Sequence, residues 1–175
     1  MGEIKAVIFD LNGVLLLSRP LSERLAEETG KTADEIYDVM KPILKEVRNP
    51  VRGGDEVWTP LLNLTSMGMS QFLDFFFSGE SVDREMLSFA EQLKNQGIKL
   101  FILSNNFKER TLYYRENFPE LFELMEKSYF SWETGFIKPD RMAFQNILTE
   151  NSLKGEECIY IDDSEENLVA AAEFG

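Results

Sequence analysis

Four short stretches hold side chains whose types could do chemistry together: "FDLNG" with Asp10 and Asn12, "LSNN" with Ser104 and Asn105, "IKPD" with Lys138, and "IDDSEEN" with Asp162 and Asp163. Two adjacent acids facing a third would repel one another and raise their pKa values unless a cation stood between them. Hard carboxylate oxygens suit Mg²⁺, which takes one or two such ligands and fills its octahedron with water and phosphate oxygens. Lys138 precedes Pro139, which holds the residue before it extended. Its ammonium then sits at a helix start, where a cation is misplaced unless an anion lies nearby. A carboxylate, a hydroxyl, an ammonium and a divalent cation are the parts that phosphoryl transfer asks for, because that reaction depends on in-line positioning and on neutralising the equatorial oxygens.

Each stretch also has a plain structural reading. Asn12-Gly13 makes an ordinary turn out of a buried strand, "SNN" suits a helix N-cap, and Glu165 and Glu166 suit an acidic first helical turn. What separates the two kinds of reading is where the stretches lie. Each sits where an apolar run ends, and the carboxyl ends of the strands of an open parallel sheet line one edge, where ligands bind.

The runs are residues 4–10, 98–104, 127–132 and 157–163. They are short and continuously apolar, as expected of strands buried on both faces. Helical patterns lie between the later ones. Residues 84–96 place Met86, Ala90 and Leu93 on one stripe and stop at Gly97. A second helix puts Pro139 in its first turn and spaces Met142, Ala143, Ile147 and Leu148 along one face. A third opens at Ser164 as a possible N-cap. Alternating strand and helix predicts a doubly wound, parallel-sheet α/β core.

Almost ninety residues with little strand character separate the first two runs, far more than a usual βα connection. We read residues 17–80 as an inserted helical cap on a core of residues 1–16 and 81–175. "TADE" (residues 32–35) is a capping box, and Pro42 is expected to kink or divide the helix it opens. "GGDEVWTPLLNL" and "SMGMSQFLDFFFSGE" read as further helices, the phenylalanine run as the insertion's own packing. Arg48 and Arg52 are expected to be solvated surface residues. The chain stops directly after the last helix, so either the sequence is short or the sheet has one strand fewer than usual, with an uncovered edge.

Composition narrows the partners. With 43% hydrophobic residues the chain is globular in type, and 175 residues suffice for a substantial core. Thirty-one acidic against 18 basic residues give a net charge of −13, which disfavours nucleic acid and anionic membranes. A small phosphorylated ligand stays open if a cation or a local lysine neutralises it. There is no histidine, which excludes His triads and His metal sites. Cys158 is the only cysteine, so no internal disulfide forms and a reducing, cytoplasmic location is expected. No run approaches the length of a membrane span. A monomer is favoured.

Taken jointly and in this order, the stretches resemble the pattern of the haloacid dehalogenase superfamily: Asp-x-Asp, then Ser/Thr, then Lys, then an acidic pair. "SNN", "SWETGFIKPDRMAFQNIL" and "CIYIDDSEENLVAAA" look most like its helical-cap branch, which includes glucose-1-phosphate phosphatase-like enzymes and the amino-terminal domain of soluble epoxide hydrolase. The resemblance implies a Mg²⁺-dependent phosphatase acting on a small phosphorylated metabolite, with Asp10 as the nucleophile that becomes an aspartyl-phosphate. It further implies that Ser104 and Asn105 meet the phosphoryl group and that Lys138 holds Asp10 and phosphate together. Asp163, Asp162, Asp10 and the main-chain carbonyl of Asn12 would ligate the metal.

Asn12 departs from the pattern. A second aspartate there protonates the leaving alkoxide and later deprotonates the attacking water, and a carboxamide does neither. Losing a positioned acid/base typically lowers the rate by about 10² to 10⁴, so binding with blunted turnover is expected. Two other readings stay open: a phosphate-ligand-binding pseudoenzyme, and a receiver-like phosphoacceptor, although a receiver carries its acidic pair on the first strand and lacks a long insertion. Dehalogenases of the superfamily also lack the second aspartate, but they use no metal, and the acidic pair argues against that branch. Slow deamidation at Asn12-Gly13 is a further expectation, since the glycine leaves the amide unhindered.

Overall fold

The computed structural model describes residues 3–49 and 55–175. The chain begins with β1 (Ala6–Phe9) and β2 (Leu16–Ser18), followed by α1 (Leu21–Thr29), α2 (Ala33–Val47), α3 (Thr59–Thr65) and α4 (Met69–Phe77). It returns through β3 (Glu80–Val82) to α5 (Arg84–Asn95), β4 (Lys99–Ser104), α6 (Lys108–Asn117) and α7 (Pro119–Leu124). The last part comprises β5 (Lys127–Phe130), α8 (Ser131–Thr134), α9 (Arg141–Glu150), β6 (Cys158–Ile161) and α10 (Glu165–Ala172).

The four apolar runs form one parallel sheet in the order β5-β4-β1-β6. Strand residues alternate between two apolar layers, which is why both faces read as hydrophobic. Val7, Phe9, Leu100 and Ile102 pack against Leu87 and Ala90 of α5, Tyr114 of α6 and Leu121 of α7. Ala6, Ile8, Phe101 and Leu103 pack against Ala143, Phe144, Ile147 and Leu148 of α9. The expected α/β core is therefore present. Met142, placed on the apolar stripe by its spacing, instead points outward and is exposed. Among the described residues β6 is a sheet edge.

Chain order builds the site. From β1 the chain moves outward to β4 and β5 and then crosses back to β6 on the other side of β1. The direction of winding reverses beside β1, and the ends of β1, β4 and β6 surround that reversal, where α/β sheets bind ligands.

The insertion between β2 and β3 is helical and has its own core. Leu25, Ile36, Met40, Ile43, Trp58 and Phe72 belong to one buried cluster, which Phe76 and Phe77 join. The predicted capping box exists: the Glu35 amide donates to Thr32 Oγ1 at 3.2 Å and the Thr32 amide to Glu35 Oε2 at 2.8 Å. Pro42 does not divide the helix, since α2 runs unbroken from Ala33 to Val47. Burial of the stripe Ile36, Met40, Ile43 and Val47 outweighs the missing amide bond, typically a cost of about 3 kcal/mol. Gly53 and Gly54, which open the first of the two further helical stretches, lie outside the described residues.

Two features tie the insertion to the sheet. β2 and β3 pair antiparallel, Leu16 with Val82 through Ser18 with Glu80, a ribbon too short to show as alternation in sequence. Phe107, just after β4, enters the insertion's core with its ring 5.3 Å from Trp58 and 5.7 Å from Phe76.

Candidate active site

Asp10 is the first residue after β1, its amide fixed to the Ile161 carbonyl of β6 at 2.8 Å. Lys138 comes from the loop after α8 and is 4% exposed. Its Nζ lies 3.0 Å from Asp10 Oδ1 and 2.6 Å from Asp162 Oδ2. Pro139 is not in the first turn of a helix as its type suggested. The Lys138–Pro139 peptide is cis, Asp140 is the N-cap and α9 starts at Arg141. The ammonium is therefore balanced by two carboxylates rather than stranded at a helix N-terminus.

Asn105 fixes where Lys138 emerges. Its Nδ2 donates to the Lys138 carbonyl at 2.7 Å and its Oδ1 accepts from the Lys138 amide at 2.8 Å. Both ends of that carboxamide are occupied by the lysine backbone, so the side chain positions Lys138. Ser104 ends β4 and is 2% exposed, at the floor of the same cleft. The Asn pair does not cap a helix, because α6 begins only at Lys108 with Phe107 as N-cap.

Asp162 is surrounded by donors: Lys138, the Ser164 amide at 2.8 Å, Asn167 Nδ2 at 3.0 Å and the Tyr160 hydroxyl. Burial alone would raise its pKa, but these donors hold the carboxyl below the usual range. Ser164 thus contributes its amide to Asp162 and makes no side-chain cap on α10. Asp10 goes the other way: burial raises its pKa, and Lys138 recovers only part of the loss.

The donor set fits a divalent cation. Asp10, Asp162 and Asp163 each offer an oxygen within 4.8 Å of the others'. With Asp162 saturated by donors, Asp10 and the exposed Asp163 have the freer oxygens. Gly13 is required here. Its φ is +91°, and a Cβ on it would fall 2.2 Å from an Asp163 carboxylate oxygen.

The Asn12 carboxamide is held at both ends. Its Nδ2 donates to the Tyr114 hydroxyl at 2.7 Å, and its Oδ1 accepts from Asn106 Nδ2 at 3.1 Å. Tyr114 in turn donates to Glu80, which is paired with Arg110 at 2.6 Å. Tyr114 has one proton, and here it goes to Glu80, so position 12 is surrounded as a hydrogen-bond donor requires. This anchoring, with the Gly13 amide bonded to the Leu16 carbonyl at 2.8 Å, opposes the deamidation expected from Asn-Gly.

Asp10, Asn12, Ser104, Asn105, Lys138 and Asp163 line a cleft of about 390 Å³. Arg48, expected to be solvated, faces it from the end of α2. Arg52 lies outside the described residues. Sequence reading missed Asn106, Glu80, Arg110, Tyr114, Tyr160 and Asn167 as supports. One signal was present: Arg110 and Tyr114 are four apart on α6 and both buried, a polar pair on an inward helical face.

A family model described as haloacid dehalogenase-like hydrolase matches residues 4–175. A sesquiterpene phosphatase of Aspergillus oryzae is 25% identical over 183 residues, covering 98% of this chain and 86% of that protein. A solved enzyme described as HAD family from Bacteroides thetaiotaomicron superposes with a TM-score of 0.85 at 21% identity, covering 99% of this chain and 91% of its own. A mutant of that enzyme in complex with magnesium and inorganic phosphate superposes at 0.81 with 22% identity, covering 98% and 91%. A predicted HAD-like hydrolase from Porphyromonas gingivalis gives 0.81 at 23% identity, covering 99% and 89%. Among the described residues no helix is long and apolar enough to cross a membrane.

Proposed function

We propose that this chain, which belongs to the haloacid dehalogenase-like hydrolases, is a Mg²⁺-dependent phosphate-monoester hydrolase scaffold whose turnover is blunted by Asn12. The observation that carries the reading is Lys138, buried between Asp10 and Asp162, beside an Asp163 carboxylate within 4.8 Å of both. Residues 17–80 act as the cap over this site. Asp10, Asp163 and the Asn12 carbonyl would hold the metal, with Asp162 behind them.

Asp10 attacks phosphorus, forming a carboxyl–phosphorus bond while the ester oxygen departs with its electron pair. Lys138 favours the ionised form of Asp10 against its burial and, with Ser104, neutralises and orients the phosphoryl oxygens; Asn105 fixes the lysine. A bound Mg²⁺ supplies further charge neutralisation. The leaving alkoxide then needs a proton, and the water that cleaves the aspartyl-phosphate needs a base. Asn12 serves neither, so leaving groups that need little protonation react best and the phosphorylated form of Asp10 is long-lived.

A non-catalytic phosphate-ligand-binding reading has one specific support, the anchoring of both ends of the Asn12 amide by Tyr114 and Asn106. Assay of a phosphate-ester panel with Mg²⁺ in the native chain and in Asn12→Asp separates the two. A gain on the order of 10²- to 10⁴-fold in phosphate release supports the hydrolase scaffold. Ligand binding without any gain supports the sensor. The A. oryzae relative is named for a sesquiterpene substrate. The cleft here is lined almost wholly by polar side chains, which favours a small polar ester.

A further inference from the structure

Among the described residues three cations face the cleft, and two are balanced within the protein. Lys138 is paired with Asp10 and Asp162, and Arg110 with Glu80. The third, Arg48, is at the C-terminal end of α2 and lines the same cleft as Asp10, Ser104 and Lys138. Its Nε is buried and has no hydrogen-bond partner among the described residues. An arginine ending a helix needs no burial to favour the dipole, since an exposed side chain does the same. Arg48 is half-buried, and a buried N–H without a partner is costly; an anion in the cleft would give the guanidinium the charge partner that the described residues do not. Burial and the like charge of Arg110 both work against its charge, while Asp10 favours it. Asp10 is a poor permanent partner, because Lys138 already neutralises it and the phosphoryl group is to meet it.

We propose that Arg48 is a specificity-determining residue that binds a second anionic group, a carboxylate or a second phosphate, on the alcohol part of the ester. This rests on the function proposed above and extends it: the phosphoryl group sits at the strand ends, and the insertion reads the rest of the substrate. The planar guanidinium fork suits either anion. An uncharged alcohol of the same size would leave Arg48 uncompleted and bind more weakly.

The test is calorimetric titration in Mg²⁺ with four probes: inorganic phosphate, glycerol 3-phosphate, 3-phosphoglycerate and propanediol bisphosphate. The native chain is expected to prefer 3-phosphoglycerate, the bisphosphate, or both, over glycerol phosphate by roughly 10- to 100-fold, the scale of a charge-assisted hydrogen bond. Which of the two it prefers distinguishes carboxylate from phosphate. Arg48→Met is expected to collapse that ratio toward one. The native comparison stands by itself should Arg48→Met fold poorly. Binding of inorganic phosphate with no preference among the esters overturns the Arg48 assignment alone, as does a preference that survives in Arg48→Met. Absence of binding by all four probes overturns the phosphate site itself.

Discussion

Lys138→Met removes the one buried cation shared by Asp10 and Asp162. The methionine fills a similar volume, so the perturbation is mainly electrostatic. Two ion pairs, at 3.0 and 2.6 Å, vanish and two carboxylates at least mostly buried are left facing each other. Removing one partner of a buried pair typically costs about 3–5 kcal/mol. In a chain of this size each kcal/mol corresponds to about 2–4 °C in Tm, so a fall of roughly 6–20 °C is expected at pH 7 without metal. The deficit should shrink in acid. Asp162 is held below the usual carboxylate range, so its stabilising contribution is present above the unfolded value of about 3.9 and lost as pH falls through its folded value. The native chain thus loses in acid what the variant never had. Differential scanning calorimetry of the single variant and of Lys138→Met/Asp162→Asn from pH 3 to 8 tests this. The second substitution is expected to recover much of the loss at pH 7. A single-variant deficit below about 1 kcal/mol, the range of solvated surface pairs, or a double variant no better than the single, refutes the reasoning.

Two further outcomes follow from local geometry. Thr32→Ala should lower Tm by about 2–4 °C at pH 7, the scale of a lost N-cap. Glu35 is held low by the Thr32 amide and hydroxyl, so its contribution is present above the unfolded glutamate value and fades as pH falls through its folded value; thermal scans should show the difference narrowing in acid. The Cys158 thiol is pushed up to about 11, by burial first and by Glu157 second. Its alkylation by iodoacetamide at pH 8 should therefore be on the order of 100-fold slower than that of an ordinary free cysteine, and an ordinary rate measured by intact mass would contradict that environment.

Most of the candidate-site residues were legible because they stand at the ends of apolar runs, and the run itself reports a strand buried on both faces. Asp10, Ser104 and the acidic pair needed only the rule that parallel strands present their ends together. Thr32 and Glu35 were legible as a cap because that interaction spans three residues. Pro42 was misread because a local rule cannot weigh a lost amide bond against a buried stripe contributed by other helices. Pro139 was misread because the turn before α9 is set by Asn105, thirty-three residues away, holding the Lys138 backbone.

The sequence by itself determined the alternation of strand and helix, the long insertion, and the absence of an acid/base at position 12. Only the tertiary structure decided what surrounds those groups. It placed Asp162 beneath Lys138 among its donors, anchored Asn12 through Tyr114 and Asn106, and turned Arg48 from an expected surface charge into a lining of the cleft. The physical reason is that residue type fixes what a group can donate, accept or ionise. Burial and partners contributed from distant parts of the chain decide which of those capacities remain free for a ligand.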